Sequence, residues 1–121
     1  MANGFCHMEL QAADLDAAHT FYSELFDWKL DKQDMGGGHV YTLINAGEGP
    51  GGGMTNLQNP NSPTAWLVYV QVDSVDDTCE KAASLGGKVI MGKTPVPGMG
   101  SFAVLNDSQG AVFAVWENEK N

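Results

Sequence analysis

Two spacings of apolar residues organise this chain. In ADLDAAHTFYSELF, Leu15, Ala18, Tyr22 and Leu25 recur three or four places apart, which predicts an amphipathic helix with Asp14 as its N-cap and Asp16 in the first turn. A second helix is predicted over SVDDTCEKAASLGG, capped by Ser74, striped by Val75, Cys79 and Ala82, and stopped by Gly86. Elsewhere the alternation has period two. FCHMELQA, WKLDKQ, HVYTLIN, AWLVYVQV, KVIM, SFAVLN and AVFAVWE all read as strands.

These elements come in the same order twice. A shift of 60 places carries Leu10 onto Val70, Gln11 onto Gln71, Leu15 onto Val75 and Asp16 onto Asp76. A shift of 61 carries Tyr41 onto Phe102, Leu43 onto Val104, Asn45 onto Asn106 and Gly49 onto Gly110. The second shift also aligns PGGGMTN with AVFAVWE, so the Gly-rich stretch becomes a strand. A phosphate loop is the other reading of GEGPGGGM, but such a loop opens a helix, and TNLQNPNSP cannot form one. A Gly-lined strand that lets a ligand approach the backbone fits better. One domain over residues 1–121 follows, with module one at about 4–57, a Pro/Asn-rich linker at 58–63 and module two at about 64–117. A ferredoxin-like sandwich also has two helices, but it needs only two strands after the first helix, where this chain offers a third.

A doubled β-α-β-β-β module resembles the vicinal oxygen chelate superfamily, which includes glyoxalase I, bleomycin-resistance proteins, extradiol dioxygenases and fosfomycin-resistance enzymes. The resemblance rests on HMELQAADLDAAHTFY opening the first module and YVQVDSVD opening the second, with ASLGGKV and the closing NDSQGAVFAVWE. It covers essentially the whole chain. It implies an α+β fold: two tandem βαβββ modules forming a curled eight-stranded sheet around a cleft, helices outside. It also implies that metal-using members hold four ligands in symmetric pairs, one pair on the first strands of the two modules and one pair on the last strands. On this sequence those positions are His7, Gly53, Leu67 and Ala114. Only His7 can coordinate, whereas a catalytic divalent metal takes about three protein ligands. Moving the register by two residues offers Glu9 or Tyr69 but no triad, and His19 and His39 fall elsewhere. The expectation is therefore no metal and no other cofactor.

Alternation puts Cys6, Met8, Leu10 and Ala12 under the helix and turns His7, Glu9 and Gln11 toward the cleft. The corresponding face elsewhere carries Gly53, Thr55, Leu67, Tyr69, Gln71, Ala114 and Trp116. Aromatic walls with a few polar groups suit a small organic ligand. His7 and Glu9, roughly 6–7 Å apart at their α-carbons, could both touch one ligand. In a dry cleft the carboxylate should favour the protonated imidazole. The leading expectation is a metal-free binding protein of this superfamily. The alternative is a metal-dependent lyase or dioxygenase that recruits ligands from elsewhere, and a third is an interaction module whose cleft is unused.

Charge narrows the partners. Fifteen acidic residues against six basic ones give a net charge of −9, which repels nucleic acid and anionic membranes and favours a cationic ligand. MANGFCHMEL does not read as a signal peptide, and WLVYV is far too short to span a bilayer, so a cytoplasmic location is expected. Cys6 and Cys79 have no metal spacing and read as reduced, buried small hydrophobes. Unpaired edge strands and the resemblance lead to the expectation of a homodimer.

Overall fold

The computed structural model describes residues 3–34, 40–57 and 61–119. Along the chain run β1 (Phe5–Ala12), α1 (Leu15–Leu25), β2 (Lys29–Asp34), β3 (Val40–Asn45) and β4 (Gly52–Asn56). There follow β5 (Ala65–Gln71), α2 (Val75–Ser84), β6 (Lys88–Val96), β7 (Gly100–Asn106) and β8 (Val112–Asn118). The order strand, helix, three strands occurs twice, as the internal repeat predicts, and the fold is α+β. The chain divides into two compact units, one of residues His7–Leu67, the other of Val68–Asn121 with the start of the chain up to Cys6.

In the first unit the strand order is β2-β3-β4-β1. β3 runs antiparallel to β2 and β4, while β4 runs parallel to β1 with Glu9 opposite Gly53 and Gln11 opposite Thr55. Leu10, Ala12, Leu15, Ile44 and Met54 form the core between α1 and one face of these strands. Each large aliphatic side chain buried there contributes about 1.5–3 kcal/mol. Asp14 caps α1 by accepting from the Ala17 N–H at 3.1 Å. The predicted stripe holds at Leu15, Ala18 and Tyr22 and fails at Leu25, which is 56% exposed. Leu25 is the last helical residue. Just beyond it Phe26 is already extended, and Trp28 and Leu30 pack on the cluster instead.

In the second unit the order is β5-β8-β7-β6, with β5 parallel to β8 and the other pairs antiparallel. Val75, Ala103, Leu105 and Val115 are its core, with Cys79 and Ala82 packed against them as the second stripe predicts. Ser74 caps α2 through the Asp77 N–H at 3.1 Å, and the Glu117 carboxylate accepts from the Val75 N–H at 2.7 Å. Both satisfy donors that a helix start leaves over. Gly86 ends the helix at φ 94°, in the left-handed region where a side chain would be strained. Cys6 and Cys79 are free thiols. Among the described residues no helix is long and apolar enough to cross a membrane.

Candidate functional site

Period-two alternation sends the residues next to the core of the first unit to the opposite face. On β1 these are His7, Glu9 and Gln11, on β4 Gly53 and Thr55, and on β3 Tyr41 and Leu43. Four of the polar side chains meet. Tyr41 OH donates to Glu9 Oε1 at 3.0 Å, and His7 Nε2 lies 2.8 Å from the same hydroxyl. Gln11 Nε2 donates to Glu9 Oε2 at 3.0 Å. Glu9 is only 8% exposed, and both its oxygens have hydrogen-bond partners. Burying such a carboxylate is costly unless it is bonded in this way.

The bond between His7 and Glu9 runs through Tyr41, a residue that sequence reasoning left out of the site. The signal was present. Thr42 and Ile44 are the buried residues of β3, which leaves Tyr41 on the other face, and the repeat pairs it with Phe102. What alternation cannot show is reach. The Tyr41 ring crosses β4 diagonally to arrive at β1, and Gly53 is where it crosses: a β-carbon there would run into the Tyr41 hydroxyl and ring. The Gly-rich strand is thus not open for a ligand to approach its backbone at this point. Tyr41 lies over Gly53, and at Gly52 a β-carbon would strike the Met8 carbonyl oxygen.

Thr55 sits opposite Gln11, 3% exposed, and its hydroxyl has no hydrogen-bond partner among the described residues. A buried hydroxyl in that state costs about 1–3 kcal/mol. On the other side of the sheet, His19 of α1 meets the buried Thr42 hydroxyl at 2.8 Å and belongs to the helix packing. His39 lies outside the described residues. Leu67 is buried at the end of the first unit.

For His7 the balance runs against expectation. Its pKa is lowered: loss of hydration on burial outweighs the attraction of Glu9, which acts in the raising direction. A carboxylate reached through an intervening hydroxyl does not compensate the desolvated imidazolium.

The remaining predicted residues belong to the second unit. Tyr69 is level with Ala114 and Gln71 with Trp116 across β5 and β8, so all four share one face. Phe102, opposite Trp116 on β7, joins them, its ring 6.3 Å from that of Tyr69. Trp116 lies over Gly100, where a β-carbon would come within 2.7 Å of the indole, and its N–H donates to Asn118 Oδ1 at 2.9 Å. These five side chains include three aromatic rings and no charged group.

Two βαβββ units, each with a helix on one sheet face and the predicted site residues on the other, define a class of tandem-module proteins. The chain belongs to the Glyoxalase/Bleomycin resistance protein/Dioxygenase superfamily, whose family model matches residues 4–115. It is 37% identical over 107 residues to CFP32 of Mycobacterium tuberculosis, provisionally named a glyoxylase, a match covering 88% of this chain and 41% of that protein. It is 31% identical over 127 residues to the anthracycline biosynthesis protein DnrV of Streptomyces peucetius, covering 89% of this chain and 44% of that one. The chain thus spans well under half the length of these curated relatives. Among solved structures, a hypothetical protein of Bacillus halodurans matches with TM-score 0.74 at 15% identity, covering 100% of this chain and 98% of that one. Methylmalonyl-CoA epimerase of Mycobacterium tuberculosis matches with TM-score 0.70 at 16% identity, covering 97% and 89%. At such identities these two likenesses concern the fold.

Proposed function

We propose that this chain binds a small organic molecule on the polar face of its first unit, without a metal ion. The observation that carries this reading is the buried Glu9 carboxylate, held by Tyr41 and Gln11 on the sheet face away from the helix. The core on the other face already supplies the apolar burial that folding needs, and a buried charge there adds cost rather than stability. The unpartnered Thr55 hydroxyl beside Gln11 supports the same reading, since a ligand group could satisfy it. The names of the relatives, glyoxylase and anthracycline biosynthesis protein, both concern small organic compounds. With a net charge of −9 and a carboxylate at the centre of the site, a cationic ligand is the favoured class.

The donor set does not fit the metal that the superfamily implies. Gly53, Leu67 and Ala114 carry no ligating atom, Gly53 is covered by Tyr41, and His7 Nε2 is engaged by the Tyr41 hydroxyl. Among the described residues no three His, Cys, Asp or Glu side chains are grouped to hold an ion. The lyase or dioxygenase alternative would need ligands beyond His7 and Glu9. A cytoplasmic homodimer accompanies this proposal as its expected setting. A thermal-shift screen of cationic, neutral and anionic small molecules tests it. Stabilisation by members of the cationic set supports the reading, and a flat response across all three classes refutes it.

A further inference from the structure

The proton inventory of the His7–Tyr41–Glu9–Gln11 group determines more than its existence. A carboxylate only accepts hydrogen bonds, so the single Tyr41 hydroxyl proton is committed to Glu9 Oε1 at 3.0 Å. The contact of 2.8 Å between His7 Nε2 and the Tyr41 oxygen then requires the hydrogen to be on the imidazole. The neutral ring is the Nε2–H tautomer, and its lone pair, the point of any further protonation, is on Nδ1. One Gln11 amide hydrogen is likewise committed to Glu9. Three polar hydrogens are therefore used within the group.

Resting on the ligand-binding reading above, we infer that Tyr41 is the positioning residue of this site, fixing the His7 tautomer and holding in place the Glu9 carboxylate that receives an organic ammonium or amidinium ligand. The placement of Tyr41 depends on Gly53, over which its ring lies. The hydroxyl, not the ring, is what organises the group. Tyr41→Phe keeps the ring and its packing but removes the only atom that touches both His7 and Glu9 in these bonds. His7 then loses the acceptor that selects Nε2–H, and Glu9 loses its donor at Oε1.

The test uses the full chain with imidazole nitrogens labelled for NMR, near neutral pH. His7 should show a protonated-type Nε2 and an unprotonated-type Nδ1. Tyr41→Phe should give a mixture of tautomers at His7 while the signals of His19, on the other side of the sheet, stay put. That last readout separates positioning from general loss of structure. A wild-type His7 carrying its hydrogen on Nδ1 overturns the inference, as does a tautomer indifferent to Tyr41→Phe. Benzamidine and benzoate, rings of similar size with opposite charge, serve as probes of the ligand class. Benzamidine should shift the His7 signals and benzoate should not. An equal or stronger response to benzoate overturns the selectivity. The tautomer measurement needs no ligand. A correct tautomer combined with a flat response to every compound in the thermal-shift screen would sink the binding proposal and leave the role of Tyr41 standing.

Discussion

Gly53→Ala should destabilise this protein, and removing Tyr41 should reverse the sign. Gly53 has no positive φ, so its backbone accepts alanine without strain. Taken alone, the exchange would stabilise by about 0.4–1 kcal/mol through the lower entropy of the unfolded chain. The obstacle is the Tyr41 hydroxyl and ring, which occupy the place of the new methyl group. A tyrosine tip could swing away cheaply if nothing held it. Here it is held by a bond to the Glu9 carboxylate and a contact with His7. Losing a bond to a charged group costs about 1.5–3 kcal/mol and a neutral one about 0.5–1.5, so the clash outweighs the entropic gain by roughly 1–4 kcal/mol.

In a Tyr41→Ala background there is no ring to displace, and Gly53→Ala should be neutral or stabilising by up to about 1 kcal/mol. Urea unfolding of wild type, both single variants and the double variant closes this cycle, and the predicted coupling is well above the few tenths expected of independent sites. Additive effects, with Gly53→Ala equally costly in both backgrounds, would refute the argument that Tyr41 makes this position a glycine. Gly52→Ala is the control. Its obstacle is the Met8 carbonyl oxygen of β1, a backbone atom that cannot swing aside, so the cost should persist whatever stands at 41.

Three further outcomes follow from the same structure. His7 and His19 both have lowered pKa values, from burial first and, for His19, from Lys32 next. The unfolded chain therefore binds more protons as the pH falls, so stability should be full above about pH 6.5 and decline below it. Urea midpoints at pH 7.5 and 5.5 check this, and His19→Gln should flatten the slope. Zinc, nickel and iron should dialyse away from the purified protein, and a stoichiometric residue in metal analysis would contradict the metal-free proposal. Light scattering at micromolar concentration should report a dimer, whereas a mass near 12.9 kDa would mean a monomer.

Much of the fold was legible because its causes are local. Asp14 and Ser74 cap their helices through bonds three residues away, and such spacings can be read from sequence. The doubled element order could likewise be read, because each module repeats the same alternation. Leu25 was misplaced because periodicity gives the face of a helix but not where the core beneath it stops. At the site, His7, Glu9, Gln11, Gly53 and Thr55 were correctly put on one face of the first unit. Tyr41 was missed because its contact depends on a ring crossing a glycine, a relation between strands distant in sequence. The direction of the His7 shift was also beyond alternation, since it turns on how far burial outweighs one nearby carboxylate.

The central claim, a ligand held by the charge of Glu9, is tested most directly by calorimetric titration of a cationic hit from the thermal-shift screen. Wild type, Glu9→Gln and His7→Gln would be compared under one buffer and salt condition. Both substitutions keep hydrogen-bonding capacity, so a difference reports charge. The account predicts that Glu9→Gln weakens binding by about tenfold or more, the scale of a charge-assisted bond, and by more than His7→Gln. Equal and negligible effects from the two substitutions, in proteins that unfold like wild type, would contradict it and leave His7 and Glu9 as structural residues of the sheet.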